Sequence, residues 1–364
     1  MITARASEVE LRVFRVGPET RRPRRKDVLL GVPVTEPRHI SWGESGGPRR
    51  VPVRVGTWPS GFYFVRLRTP DGRVAYAPFI VRPRARGRAR LAVVLPTNTW
   101  QAYNLRDVDG NGIGDSWYAD PAIQSVDLTR PYTNRGVPPH FRQYDLGFIR
   151  WLSKTGKDVD FFADDDFARF RRGAGLARLY DLVVFPGHEE YVTAHAYDVV
   201  EAYRNAGGNL VFLSANNFFA RVDRRGDRIY RIGRWRDLGR PEAALVGVQY
   251  LGWYERRSPN APYVVRGAHL APWLFEGTGL RNTSTFGRFG IEIDARTPWS
   301  PRGTRIVAVI PDVFGPGHTA HMTYYETAQG AKVFAAGALN FGGAAELPPV
   351  RRLLENVWAR LAQP

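Results

Sequence analysis

Apolar and charged side chains alternate along Glu8-Val9-Glu10-Leu11-Arg12-Val13-Phe14-Arg15, the pattern of a β-strand with one face in water. Residues 51–55 alternate in the same way. Residues 62–68 run into the turn sequence Pro70-Asp71-Gly72, and residues 74–81 follow as the expected hairpin partner. Several short strands without a helical period predict an immunoglobulin-like β-sandwich over residues 1–86. Residues 82–90 are polar and aperiodic, and read as a linker.

The pattern changes at residue 91. Leu91-Ala92-Val93-Val94-Leu95, Leu182-Val183-Val184-Phe185 and Asn209-Leu210-Val211-Phe212-Leu213 are apolar runs suited to parallel strands buried on both faces. A shorter strand is expected at residues 158–162. Phe148, Ile149 and Leu152 share one face of a helix predicted over residues 148–155. Val199, Val200 and Tyr203 do the same over 194–206, where Gly207-Gly208 stops the helix. This alternation places the chain in the α/β class, with a doubly wound, mostly parallel domain over residues 87–364. Beyond residue 245 the chain becomes β-rich, a C-terminal extension with runs at 306–310 and 332–336, and it closes with a helix over 350–361. Ligands of such sheets bind beyond the carboxyl ends of the strands. The loops after Pro96, Pro186 and Ser214 are therefore the candidate site.

A length of 364 residues fits about two domains, and 43% hydrophobic content rules out wholesale disorder. No apolar run approaches the ~20 residues of a membrane span. The first residues, Met1-Ile2-Thr3-Ala4-Arg5, lack the apolar core of a signal peptide. As it stands the sequence reads as cytoplasmic, or as secreted if a leader was removed. The chain has no Cys, which excludes disulfide and thiolate chemistry. The net charge of +17 is uneven. Residues 1–90 carry 20 Arg/Lys against 7 Asp/Glu, and residues 91–364 carry 32 against 28. Arg outnumbers Lys 48 to 4, a chain-wide bias rather than one selected patch. No recognition helix or stacking platform accompanies the charge, so nucleic acid is not expected as a partner.

The sharpest local motif is Asp107-Val108-Asp109-Gly110-Asn111-Gly112-Ile113-Gly114-Asp115. Oxygen side chains from Asp107, Asp109, Asn111 and Asp115 fall at positions 1, 3, 5 and 9 of a calcium loop. Gly112 takes the sharp turn at position 6, and Ile113 offers its carbonyl. Position 12 is Tyr118, where an EF-hand has Glu. The spacing predicts an isolated loop tied by structural calcium; an Asp/Gly-rich surface turn without metal is the alternative. Asp164-Asp165-Asp166 is contiguous and reads instead as a solvated helix start.

The three candidate loops carry a resemblance. Asn98-Thr99-Trp100-Gln101-Ala102-Tyr103-Asn104 resembles the NTWxAYN loop of the N,N-dimethylformamidase large-subunit family. The run from Tyr180 to Tyr191 resembles its YDVLxxxxHxEY strand and loop, and the run from Gly207 to Phe219 its GGxLxxLxxNxFY segment. Gly290-Ile291-Glu292-Ile293-Asp294 resembles a GxExD element, and residues 324–337 a closing hairpin. Where that family carries a Glu/Gly-rich loop, residues 220–245 are short and contain Arg234-Trp235-Arg236-Asp237-Leu238-Gly239.

The resemblance implies a glutamine-amidotransferase-like fold. It also implies hydrolysis of a small amide C–N bond at ferric iron held by two Tyr and a carboxylate. Tyr191 is the first choice of phenolate and Tyr144 the second, while Glu190 and Glu292 compete for the carboxylate. His188 or a second Glu would move the proton, with Asn217 in the catalytic set and Asn98, Trp100 and Tyr103 facing substrate. Glu189-Glu190 also fits a charge pair at a helix N-terminus. The partners expected are a small polar substrate or ligand and a homo-oligomer or small second subunit, with no membrane span. The alternative function is a non-catalytic ligand-binding or surface protein with a degenerate site and a structural calcium loop.

Overall fold

The computed structural model describes residues 2, 4–42, 47–167, 169–254 and 259–363. Near the N-terminus the strands Glu8–Arg15, Gly61–Arg68 and Val74–Val81 form an antiparallel sheet. Arg38–Ser41 and Val32–Pro33 share the other edge of the first strand. The expected hairpin is in register, Gly61 opposite Val81 and Arg68 opposite Val74, with Gly72 at φ +86° in the turn. Residues 51–55 are not a strand. Pro52 has no N–H to give a ladder, so Val51 and Val53 pack as an irregular segment.

Both faces of this sheet are apolar. Leu11, Val13, Tyr63 and Val65 gather under Val51, Val53 and Trp58. Phe14, Phe62 and Phe64 point the other way, into the main core of the molecule. There Phe62 stacks on Phe141 with ring centroids 4.6 Å apart and meets Trp100 edge-on at 5.8 Å. The described residues before 86 contribute this one sheet, and residues of the following α/β body pack on its Phe14–Phe62–Phe64 face.

The body is built on a nine-stranded sheet. Five strands are mutually parallel, in the spatial order Asp160–Ala163, Leu91–Leu95, Leu182–Phe185, Asn209–Phe212, Lys332–Ala335. The sheet continues antiparallel through Ala320–Glu326, Arg305–Ile310, Asn260–Val265 and Thr285–Gly290. The helices Leu146–Lys154, Ala194–Asn205 and Val350–Leu361 are the long ones. From Leu91–Leu95 the chain goes to one neighbour, Asp160–Ala163, and then returns to the other, Leu182–Phe185. The strand order therefore reverses between Leu91–Leu95 and Leu182–Phe185, and this switch point is where a ligand crevice is expected.

Two smaller sheets close over that end. Tyr191–Thr193, Ala220–Arg225, Arg228–Arg234 and Ser125–Asp127 form one, and Gln249–Trp253 with Glu292–Ala295 the other. The short 220–245 region is thus a hairpin followed by the turn Trp235–Leu238. The Asp run is not a solvated helix start. Asp164–Phe167 is one helical turn, and Asp164 accepts from the Thr97 hydroxyl and the Asn98 amide. Asp166 is buried against Arg82, so only Asp165 of the three is exposed. Among the described residues no helix is long and apolar enough to cross a membrane.

Candidate functional site

The two strands at the switch point deliver their loops to one place. After Leu91–Leu95 the helix Thr97–Ala102 ends at Tyr103. After Leu182–Phe185, His188, Glu189, Glu190 and Tyr191 pass underneath, all buried. Thr99 locks the segments together, because its hydroxyl accepts the amides of both Glu190 (3.1 Å) and Tyr191 (3.3 Å). The Asn98 side chain donates to the Tyr191 carbonyl at 3.3 Å. From the next strand's loop, Phe218 N donates to Glu189 O and Ala220 N to Glu190 O. Two separate segments therefore fix the backbone of the His-Glu-Glu-Tyr run. No helix begins at Glu189-Glu190, so these carboxylates do not cap one.

Phenols converge on Glu190. Tyr103 donates to Glu190 Oε2 at 2.9 Å, and Tyr118 lies 3.2 and 3.1 Å from the two oxygens. The Tyr118 and Tyr191 hydroxyls are 2.7 Å apart. His188 Nε2 sits 3.5 Å from Glu190 Oε2 and 3.5 Å from Glu292 Oε2, too far for an aligned bond, and is buried without a partner. Glu292 is held by the Asn216 side-chain amide at 2.8 Å, while the Asn216 backbone N–H donates to Asp294 at 2.8 Å. Tyr144 stands edge-on to His188 with centroids 6.4 Å apart and stacks on His140. His140, Asn216, Phe218 and Ile291 all hold positive φ, the last a β-branched residue at +68°. Such conformations persist where surrounding structure imposes them, and they gather at functional sites.

Burial dominates the electrostatics. It raises the Glu190 carboxyl to about 7 even though the Tyr103 and Tyr118 hydroxyls pull the other way. It also raises Glu292, which feels the charge of Glu190, and lifts Asp294 to about 7. Burial and then the neighbouring His140 hold the His188 ring down at about 3. His188 contacts two carboxyl oxygens yet stays neutral, because burial disfavours the charged form of all three groups at once. Tyr103, Tyr118, Tyr144 and Tyr191 are all pushed up, by burial first and carboxylates second. Without a cation, these oxygens keep their protons.

Of the residues singled out in the sequence, His188, Glu190, Tyr191, Tyr103 and Glu292 meet here, and Tyr144 stands beyond His188. Trp100 is buried, with its indole N–H on Asp145 at 3.3 Å. Asn217 donates to the Ser214 carbonyl at 3.0 Å, and its Oδ1 is buried without a partner. Tyr118, His140, Asn216 and Asp294 complete the site. Asp294 lies in the same Gly-x-Glu-x-Asp element as Glu292, a pattern that marked it; nothing local in the sequence marked Tyr118. Among the described residues no cluster of three His, Asp or Glu is placed to hold a metal, and the converging donors are phenols and carboxyls.

The Asp107–Asp115 segment is an exposed loop. Asp107 accepts the amides of Gly110 and Gly112, Asp109 that of Asn111, Asn111 that of Ile113 and Asp115 that of Val108. Gly110 and Gly112 take φ +79° and +88°. Above the site, a cleft of about 830 Å3 has Tyr103 and His140 in its wall.

Residues 48–351 match the family model for the N,N-dimethylformamidase beta subunit-like, C-terminal region. The N,N-dimethylformamidase beta subunit of Paracoccus aminophilus is 26% identical over 199 residues, 44% of this chain and 26% of that protein. That of Alcaligenes sp is 25% identical over 219 residues, 50% of this chain and 28% of that protein. The chain's match thus spans little more than a quarter of the length of these curated relatives. Among solved structures, the mmIFT52 N-terminal domain aligns at 12% identity with a TM-score of 0.37, over 58% of this chain and 87% of that one.

Proposed function

This chain belongs to the N,N-dimethylformamidase beta subunit-like C-terminal family, and on that premise we propose that it hydrolyses the C–N bond of a small amide at the Glu190 site. The observation that carries the reading is the convergence of three phenol oxygens on one buried carboxyl beside an unpartnered imidazole nitrogen.

The donor set fits ferric iron, a hard ion that favours phenolate and carboxylate oxygen. Tyr103 and Tyr118 touch Glu190 directly and Tyr191 touches Tyr118, so these four side chains are the ones that would hold it, with Tyr144 on the far side of His188. Glu190 is favoured over Glu292 as the carboxylate because the phenols gather on it. Bound there, the metal would supply Lewis acidity toward the amide carbonyl and lower the pKa of a water. His188, with Nε2 free between two carboxyls, orients the attacking water, and Glu292, whose proton affinity burial raises, takes its proton and can return it to the departing amine. Asn216 holds Glu292 in place for that transfer.

The same reading takes residues 1–86 as an immunoglobulin-like layer, residues 87–364 as a glutamine-amidotransferase-like body, and the Asp107–Asp115 loop as a calcium site. The relatives' designation as beta subunits supports a second subunit as partner.

The test is metal analysis of protein purified without chelator, with a visible spectrum and an assay for amine release from small amides. About one iron per chain with a phenolate-to-iron band is expected, and Tyr191→Phe is expected to lose both while the fold remains. Full metal content in that variant would remove Tyr191 from the ligand set. No iron, no colour and no turnover would leave the non-catalytic ligand-binding reading in its place.

A further inference from the structure

The cleft over Tyr103 and His140 is far larger than a formamide-sized group requires, and its charge is one-sided. Arg22, Lys26, Arg142 and Arg288 line it, and among the described residues no Asp or Glu does. These cations come from three distant parts of the chain: the N-terminal Arg-rich segment, the helix Phe141–Tyr144 and the strand Thr285–Gly290.

Some exposed arginines elsewhere are paired: Arg240 bridges Asp198 and Glu201, and Arg234 pairs with Asp237. In the cleft only Arg22 has a carboxylate, Glu346 at 3.0 Å. Arg142 spends its Nε on the Pro23 carbonyl and Arg288 one nitrogen on the Asn260 carbonyl, both neutral acceptors. Asp27, next to Lys26, is taken by Arg25 and Arg135. Among the described residues, three cations therefore face one cleft without a carboxylate partner, beside the residue that bonds Glu190.

We infer that the amide cleaved here carries an anionic tail, a carboxylate, held by Lys26, Arg142 and Arg288 while the amide group reaches Tyr103. The inference rests on the hydrolase reading for the amide end, but the anion end is independent of it. Guanidinium binds carboxylate bidentately, and a charge-assisted pair of this kind discriminates strongly against a neutral group.

The probe is 4-formamidobutanoate, set against the neutral N-butylformamide, with binding read by calorimetry and cleavage by amine release. The wild-type chain is expected to bind the carboxylate at least about tenfold more tightly, with the preference shrinking as salt is raised. In Arg142→Ala, Arg288→Ala and the double variant the affinity ratio falls toward one; melting curves check that the folds are intact. Equal affinity for the two probes in the wild type, or an unchanged ratio in the double variant, overturns the inference. If the carboxylate binds selectively but neither amide is cleaved, the anion site stands and the hydrolase reading fails. If both are cleaved with equal kcat/KM and equal affinity, hydrolysis stands and the anion site is wrong.

Discussion

The Tyr118 hydroxyl lies 3.2 and 3.1 Å from the two carboxyl oxygens of Glu190, and 2.7 Å from the hydroxyl of Tyr191. Tyr118 follows on the Asp-rich loop and is itself 47% exposed, so a surface loop brings one hydroxyl down onto the buried Glu190 and Tyr191. The ring is also stacked on Tyr103, with centroids 4.2 Å apart. Tyr118→Phe keeps that stacking and removes only the oxygen. Iron content and amide turnover are expected to fall about 10- to 100-fold, as when a ligand or its support is lost, with little change in melting temperature. Metal analysis and initial rates decide it; unchanged values for both would take Tyr118 out of the site.

The same link makes the loop's own order matter. Each Asp and Asn oxygen that accepts a backbone amide in the Asp107–Asp115 loop has a further lone pair free for a cation. Chelator is expected to lower the melting temperature by roughly 2–4 °C for each kcal/mol of binding free energy removed. Asp109→Ala should abolish that sensitivity. A wild-type melting curve that ignores chelator would mean that the loop closes on its own amides alone.

Asn216 is the strained support of the second carboxyl. At φ +56° it donates to Glu292 and Asp294 at once. Asn tolerates this left-handed conformation better than Ala does. Asn216→Ala is expected to cost about 2–4 kcal/mol, from backbone strain together with an unpartnered buried carboxyl. Asn216→Gly removes the side chain but accepts the backbone, so it should recover the strain share of stability while turnover stays low. Denaturant melts of the two variants separate the contributions. Equal stability of Ala and Gly would show that φ at this position carries no cost.

How much of this could be read from the sequence follows from what local pattern encodes. The runs at 91–95, 182–185 and 210–212 are apolar on every residue, as a strand buried on both faces needs, and all three lie in central parallel strands. The loops after them were the candidate site, and the structure brings those loops into contact. The Val51–Val55 alternation misled because alternation records which side is wet and says nothing of Pro52's missing donor. His188, Glu190 and Glu292 were legible through motifs. Tyr118 was not, because its partner lies 72 residues away and its own neighbourhood reads as a turn. The acidic run at Asp164 misled for the opposite reason: contiguous charge predicts solvent, yet Asp166 is buried against Arg82, which comes from the segment read as a linker.

That segment-to-segment pairing has a stronger instance in Arg150. Arg150 is 2% exposed and spans two distant segments, with Glu19 at 2.9 Å and Glu346 at 2.8 Å. Its guanidinium also donates to the carbonyls of Glu19 and Arg21. Arg150→Met leaves buried Glu19 without its cation, while Glu346 keeps Arg22 and Lys154, and is expected to cost about 3–5 kcal/mol. The two acids respond oppositely to pH. Burial raises Glu19 above its ordinary value of 4.5 despite the guanidinium. At Glu346 burial also pushes up, but the bonds from Arg150 and Lys154 and the guanidinium charge outweigh it and hold the carboxyl below 4.5. A depressed carboxyl adds stability that is present above its unfolded value and lost as pH falls through the folded one. Glu346→Gln is therefore expected to be less stable than wild type at pH 7, with the gap narrowing as pH falls below 4.5. Glu19 works against the native state as pH rises, so Glu19→Gln should narrow its own deficit in the opposite direction. Paired denaturant melts at pH 7 and pH 3.5 check both signs, and a Glu346→Gln deficit that persists at pH 3.5 would show that its contribution is not the ion pair.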